Sequence, residues 1–190
     1  MSENKVRFGL SNVYFAVLTE GSSNAWATPI HVPGAVNLEL SDDVQTTNFR
    51  ADNVTYYRTM SNNGYTGSIE AARIPEKVLN DIFGMAPDAT GVIREYANVQ
   101  PKPFALLYQV EGDQDEECYA FYRCVPASKP SVGSQTTGES IEPVTQSFDF
   151  TALPLVTGTA NQQMLIKSHT GSTASSATIA AWFSTVNVPS

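Results

Sequence analysis

The chain has 190 residues, of which 42% are apolar and 16% charged, and its 11 Lys and Arg against 19 Asp and Glu give a formal net charge of −8. A chain of this length can fold as one domain without disulfides or a metal, and its acidic balance argues against a dedicated nucleic-acid binder, which concentrates Lys and Arg on one face. It has no apolar run of about 18 residues that could span a membrane. Its first residues lack the apolar stretch of a secretory signal, so we expect the chain to stay in a cytoplasm.

Strand patterns dominate the first third of the chain. Residues 12–19 are rich in β-branched and aromatic side chains and end at a loop signal. Residues 35–41 alternate, with Val36, Leu38 and Leu40 on one face and polar side chains on the other. This period of two predicts a half-buried strand.

A hairpin is predicted over residues 53–71. Two strand-like segments flank Asn62, Asn63 and Gly64. Asn and Gly tolerate the positive φ of a tight hairpin turn, so an Asn-Gly pair between alternating segments is a strong turn signal.

One helix is predicted to interrupt the strands, over residues 75–83. Pro75 suits a first helical turn, Glu76 favours the positive helix N-terminus, and Gly84 suits the position after the last turn. Four apolar side chains form a stripe that would pack on a sheet: Val78, Leu79, Ile82 and Phe83.

Strand signals resume in the second half of the chain. The predicted segments are residues 91–96, 103–112, 117–125 and 140–152. The second and third of these are predicted to form another hairpin, whereas the Pro-, Ser- and Thr-rich stretch 126–138 is interpreted as a loop.

The last 38 residues differ in composition, because Lys167 is their only formal charge. We therefore divide the chain into a β-domain, residues 1–152, and a C-terminal extension, residues 153–190, that packs on the same domain. Residues 162–168 are predicted to form a strand. A short helix at about 174–186, capped by Thr173 or a nearby Ser, would dock an apolar stripe of Ile179, Trp182, Phe183 and Val186.

No catalytic, cofactor-binding or metal-binding residue is predicted. Cys118 and Cys124 would lie about 20 Å apart in a strand, too far for a disulfide. Neither His31 nor His169 accompanies a nucleophile signature. The acids of residues 113–117 lack the Gly and the distal Glu of a calcium loop. Paired carboxylates of the glycosidase kind stay open, since their spatial separation decides that case.

Short stretches along nearly the whole chain carry a family resemblance. They are residues 6–13, 33–38, 51–57, 61–67, 101–107, 121–122 and 137–143. The ending adds Leu165-Ile-Lys167, Trp182-Phe183 and a closing Val-Pro. In this order they resemble the major tail proteins of long-tailed bacteriophages, and most of all the phi13-type group of phages and prophages of Gram-positive bacteria. The charge-poor C-terminal extension departs from what we expect for that group.

The resemblance implies a mainly β tail tube protein, a β-sandwich or half-barrel with a flanking helix. It implies rings, usually hexameric, stacked into a hollow tube through which DNA passes during ejection, with no enzymatic activity and no cofactor. The implied partners are further copies of the chain and the tape-measure, tail-tip and tail-terminator proteins of the same phage. DNA would be present only in transit, without specific binding and without a membrane. The protein would belong to the virion tail, assembled in the bacterial host cytoplasm.

A tube of this kind has physical consequences for the sheet. An isolated sheet exposes unpaired edges, and closing the sheet around a ring removes them. Basic residues would hold DNA by releasing its counterions, so a mildly negative lumen suits a conduit. We predict that Glu39 and Glu70, on polar strand faces, face the lumen; an outer solvated face is the alternative for both.

The segment of residues 41–52 is long for a loop between two strands. We expect it to reach the neighbouring ring and to order there, with Phe49 as an apolar anchor and Arg50 pairing an acid. Its remaining charged members are Asp42, Asp43 and Asp52. The alternative interpretation is an unstructured surface loop.

Two other functions stay open at this point. One is the inner tube of a phage-tail-like injection particle. The other is a carbohydrate- or cell-surface-binding β-sandwich module, which needs an exposed aromatic platform. Four aromatic side chains could supply that platform: Trp26, Tyr56, Tyr57 and Tyr65.

Overall fold

The computed structural model describes residues 8–21, 24–112, 117–136, 143–157, 163–171 and 173–188. Its strands are β1 (Leu10–Thr19), β2 (Ala25–Trp26), β3 (Ile30–His31), β4 (Ala35–Ala51), β5 (Val54–Ala71), β6 (Phe104–Val110), β7 (Cys118–Pro126), β8 (Gln146–Ala152), β9 (Leu155–Thr157), β10 (Gln163–Leu165) and β11 (Lys167–His169). Its helices are α1 (Glu76–Phe83) and α2 (Ser176–Ala181). The prediction of a mainly β fold is confirmed.

One antiparallel sheet contains most of the strands, in the order β2-β1-β6-β7-β8-β5-β4. β3 adds to β1, β11 adds to β7, and β9 and β10 form a separate pair. The predicted pairing of the strands around 103–112 and 117–125 is confirmed by the β6–β7 register. The turn between them lies outside the described residues.

The sheet curls until β1 approaches β4, and the main core fills the inside of the curl. Phe15, Phe104 and Phe148 are buried there in edge-to-face contact, with ring centroids 5.0–6.1 Å apart. This offset geometry suits the quadrupoles of the rings. The core is therefore an aromatic cluster supplied by β1, β6 and β8.

The helix α1 closes the inside of the curl. It begins after Pro75 and ends at Gly84, whose φ of 69° lets its N–H return to the carbonyl of Asn80. Val78 and Ile82 are fully buried in the main core. The predicted helix is confirmed to within one residue of its start.

A second core lies on the opposite face of β1, β6 and β7. The C-terminal residues cover this face, and Trp182 is buried there with its Nε1 donating to the carbonyl of Tyr119 at 3.3 Å. Tyr122 donates its hydroxyl to the carbonyl of Asn187 at 2.8 Å. The predicted apolar stripe docks on this core, although α2 is shorter than predicted and is capped by Ser175.

The hairpin predicted around Asn62, Asn63 and Gly64 is wrong. β4 and β5 form one long hairpin that turns at Asp52 and Asn53, with φ of 51° and 62°. Asp and Asn tolerate this left-handed conformation because their side chains bond the local backbone. A two-residue turn with positive φ at both positions matches the twist of the strands.

The strand predicted over residues 91–96 is also wrong, since this segment forms only an isolated bridge between Pro87 and Ile93. Asp88 organises a turn instead. Its carboxylate accepts from the backbone N–H and hydroxyl of Thr90 and pairs with Arg94. These hydrogen bonds, first that of Thr90 and then that of Arg94, lower the pKa of Asp88 below its usual range. Such local bonds compete with strand pairing.

We expect Trp182→Ala to lower the free energy of unfolding by about 3–5 kcal/mol, because it removes the largest side chain that seals the second core. Urea unfolding followed by tyrosine fluorescence measures this change. Met164→Ala is the matched control, since Met164 is 71% exposed in the same C-terminal extension. Equal midpoints for the two variants would show that the extension does not stabilise the sheet.

Candidate functional site: a projecting hairpin and an open sheet face

The distal half of the β4–β5 hairpin projects from the sheet. β5 pairs with β8 only from Tyr65 to Ala71, so residues 44–62 pair only with one another among the described residues. We call residues 44–62 the arm. The eight residues of its β4 strand give it a length of roughly 25 Å.

The arm exposes apolar side chains that no described part of the chain covers. Phe49 and Tyr57 face each other across the strands and are 60% and 61% exposed. Three more are equally open: Val54, Tyr56 and Met60. Large apolar side chains exposed together on one hairpin indicate an interaction site.

The arm also has unpaired backbone. β4 bonds only to β5 among the described residues, so the outer edge of β4 is free from Ala35 to Ala51. β5 is free on its other edge over residues 54–64. Unpaired N–H and C=O groups along a strand edge are a template for pairing with another chain.

The loop predicted over residues 41–52 is therefore a strand that ends in a turn. Asp42 and Asp43 lie at the base of the arm, Phe49 lies near its tip, and Asp52 is in the turn. Arg50 donates to the carbonyl of Asn53 at 3.2 Å and forms no ion pair with a described residue. The sequence predicts a loop here because both faces of this strand are largely exposed. Apolar and polar side chains therefore do not alternate along it, and the usual signal of a half-buried strand is missing.

A bulge fixes the arm to the body of the sheet. Asp43 pairs with Gly64 and Val44 with Asn62, which leaves Asn63 as the extra residue. Gly64 has a φ of 118°, and a Cβ there would lie 2.0 Å from the carbonyl oxygen of Ala152. Only glycine fits both the conformation and this close approach.

The outer face of β4, β5 and β8 is polar, and neither α1 nor the second core covers it. We call it the open face. Its side chains are Asn37, Glu39, Ser41, Asp43, Thr66, Ser68, Glu70, Ser147, Asp149 and Thr151. Four of these are acids and none is basic, so this face is negative.

The structure places both predicted lumen acids, Glu39 and Glu70, on the open face. Glu39 is exposed and accepts from the amide of Asn37 at 3.1 Å. Glu70 is half-buried and accepts from the hydroxyl of Thr145. Asp149 joins Glu39 across Ser68 in the register, and the sequence alone did not single it out. Whether this face lines a lumen stays a prediction.

The sequence predicts an assembly role only for the β4 half of the arm, within residues 41–52. It predicts an ordinary hairpin strand for the segment that contains Tyr56, Tyr57 and Met60. The available signal was the Asp52-Asn53 pair, which follows a segment rich in β-branched residues and precedes another. Interpreted as the turn, it would have united both segments in one long hairpin.

Potential metal ligands and cysteines among the described residues were predicted to form no site. The described residues hold no group of three His, Cys, Asp or Glu that could bind a metal. Burial raises the pKa of the Cys124 thiol, which keeps it protonated, and both cysteines are buried on β7 without a bridge. Neither α1 nor α2 is long enough to span a membrane, and no other helix is described.

The four aromatic side chains considered for a carbohydrate platform do not come together. Trp26 is half-buried and donates its Nε1 to the carbonyl of Tyr122 at 3.0 Å. Tyr65 packs against Phe121 with ring centroids 5.4 Å apart, and Lys167 lies over it. Only Tyr56 and Tyr57 share a location, on the arm.

Comparison with known proteins identifies a distant likeness of fold. No family model matches the chain, and no curated protein matches it. Among solved structures, a chain of the six-fold symmetrised cryo-EM structure of the anti-feeding prophage baseplate aligns with a TM-score of 0.43 at 10% identity, over 92% of this chain and 100% of that one. A TM-score this low says nothing about what this chain binds or builds.

Gly64→Ala should destabilise the protein by at least about 1–3 kcal/mol, because it combines a strained φ with a backbone collision. Thermal or urea unfolding measures this loss. Gly133→Ala is the control, because a Cβ at Gly133 would have no neighbour within 4 Å and its φ is not positive. Indistinguishable stabilities for the two variants would contradict a rigid junction at the base of the arm.

Proposed function

We propose that this chain is the tail tube subunit of a long-tailed phage of the phi13 type, which assembles into stacked hexameric rings that conduct DNA. The observation that carries the proposal is the arm, a preformed hairpin with exposed apolar side chains and free backbone edges. The resemblance along the sequence supports the same conclusion. The chain acts as a structural protein, without catalysis or a cofactor.

The free edge of β4 supports closure into a ring. Within the described part of one copy, a strand edge is unpaired over seventeen residues, and a second copy supplies the missing hydrogen bonds. Repeating this contact around an axis generates a closed ring, because the two joined surfaces differ. The sheets of six copies then form one cylinder, in which no such edge remains.

The open face supports the orientation of the subunit in that cylinder. It is polar, so it suits contact with water and ions. Its acids, Glu39, Asp43, Glu70 and Asp149, repel the phosphates of DNA. DNA therefore meets no cation on this face that would release its counterions and hold it.

The arm supports stacking of the rings. It carries Phe49 near its tip and projects beyond the part of β5 that pairs with β8. We infer that it reaches a copy in the neighbouring ring, where Phe49 is buried and Arg50 pairs an acid. The tape-measure, tail-tip and tail-terminator proteins complete the tail, which is assembled in the host cytoplasm and becomes part of the virion.

Negative-stain electron microscopy of the purified chain over a range of concentrations tests the proposal. Rings or hollow filaments of uniform diameter are expected. A particle that stays monomeric at every concentration, and also when mixed with tail tips of the parent phage, would contradict it.

Removing the arm should prevent polymerisation without unfolding the subunit. Replacing residues 46–60 by Asp-Asn keeps the Gln45–Ser61 pair and a suitable two-residue turn. Circular dichroism should show a folded protein with a thermal midpoint close to that of the parent. Electron microscopy should show no filaments.

A point variant sharpens this test. Phe49→Ser with Tyr57→Ser removes the aromatic pair, whereas Thr47→Ser with Thr59→Ser changes the next pair on the same face. We expect filaments only from the threonine variant. Filaments of normal length from the aromatic variant would reject the role of Phe49 as an anchor.

Glu39→Lys should slow DNA release from phage that assemble with the variant subunit, because each ring then presents lysines to the phosphates. The delay should shrink at higher salt. Glu70→Lys should also slow DNA release. It should in addition lower the stability of the subunit, because it removes the hydrogen bond that Glu70 accepts from Thr145. Glu76→Lys on α1, away from the open face, is the control. Unchanged release by both sheet variants would place the open face outside the lumen.

A further inference from the structure

An apolar groove lies between β4 and the neighbouring ends of β1 and β6, away from the open face. Its volume is about 490 Å³. The apolar side chains that line it are Phe8, Leu10, Val36, Leu38, Leu40 and Val110. Phe8 and Val36 are 61% and 56% exposed, and the other four are half-buried. No described residue fills the groove, so its apolar lining has no cover in the part of the chain that the structure describes.

We propose that this groove is the socket for the arm of a second copy of the chain, with Phe49 and Tyr57 entering it. This inference rests on the proposed function and names the surface that the arm contacts. The arm exposes five large apolar side chains, and the groove offers Phe8 and Val36 beside four half-buried apolar ones. Joining them removes both surfaces from water, which is the main favourable term in such associations.

The arm cannot fill the groove of its own chain. Leu38 in the groove and Ala51 at the tip of the arm belong to the same strand, thirteen residues apart. Extended residues rise about 3.3 Å each, which separates the two sites by roughly 40 Å. A paired strand does not fold back on itself over that distance, so the occupant comes from another copy.

Charge favours the same occupant. The arm carries Arg50 and Arg58 against the single Asp52, so it is net positive in a chain whose formal net charge is −8. Glu111 lies beside Gly9, which lines the groove. A Cβ placed on Gly9 would be 3.4 Å from the carboxylate Oε2 of Glu111. Glu111 forms no ion pair with a described residue. A basic arm entering an acidic chain beside Glu111 is electrostatically complementary.

The contact has a direction, because its two halves lie at opposite ends of the β4–β5 hairpin. Each copy offers one arm and one groove, so every copy can be both donor and acceptor. A contact between different surfaces that does not close on itself generates a filament. The arm and groove thus provide the linear repeat that stacked rings require.

Disulfide trapping tests the socket directly. Two differently tagged variants, Phe49→Cys and Val36→Cys, are mixed and oxidised with copper phenanthroline. The native cysteines do not interfere, since Cys118 and Cys124 are buried. We expect a mixed disulfide dimer at least tenfold more abundant than that between Phe49→Cys and the control Met164→Cys, whose side chain is exposed elsewhere. Equal yields for the two pairs would overturn the socket.

Complementation provides a second, independent measurement. Val36→Glu places a charge in the groove at an exposed position, whereas Phe49→Ser with Tyr57→Ser disables the arm. Neither variant alone should form filaments. When rings of the two variants are assembled separately and then mixed, they should form pairs of rings that grow no further, because one ring lacks working arms and the other lacks working grooves.

The outcomes separate this inference from the proposed function. Normal filaments from Val36→Glu, or filaments of the parent without the Phe49–Val36 crosslink, overturn the socket but leave the tube intact. A lower melting temperature of monomeric Val36→Glu, without the crosslink, would assign the groove to the chain's own N-terminal residues 1–7. The absence of both rings and crosslinks at every concentration would overturn the socket and the tube together.

Discussion

The hairpin of β4 and β5 is the element on which the rest of the molecule depends, because its two halves meet opposite requirements. Near the base of the hairpin, β5 pairs with β8 over Tyr65–Ala71 and contributes Ile69 to the main core. From Gly64 towards the turn, the two strands have no further neighbouring strand among the described residues. Backbone hydrogen bonds within the hairpin keep this extension ordered, but they satisfy only one side of each strand. The hydrophobic core of the described residues is thus buried, whereas their sheet keeps an unpaired strand edge.

The two faces of the sheet are treated differently, and this division explains the C-terminal extension. Trp182 and its neighbours cover β1, β6 and β7, where the outward side chains are apolar. They leave β4, β5 and β8 uncovered, where the outward side chains are polar. The low charge of the extension suits this role, since burying ionised groups against Leu107 and Tyr122 would be costly. The charge-poor C-terminal residues are therefore the segment that covers one half of the sheet.

Local patterns in the sequence were sufficient wherever burial and chain geometry agreed. α1 was predictable because Pro75, Gly84 and the apolar stripe all specify the same helix. The arm was not, because its side chains are exposed on both faces except at Val44 and Ala51, and hydrophobic periodicity detects only burial. The choice between turns failed for a related reason. Asn63-Gly64 is the stronger local signal, yet the approach of Ala152 requires glycine there for a bulge, and the weaker Asp52-Asn53 pair makes the turn. Such information belongs to the tertiary structure.

If the chain forms the proposed tube, multivalency makes weak individual contacts between copies useful. In that tube one arm buries only a few side chains, which is little against the entropy lost when two molecules associate. Free copies therefore gain little by pairing through a single arm. A ring presents several arms at once, and linked contacts of this kind raise the overall affinity by roughly 10²–10⁴-fold without any new interaction. Stacking then becomes favourable only between completed rings. Growth would follow ring closure, and the exposed aromatic surface of the arm could be kept without random aggregation of single copies.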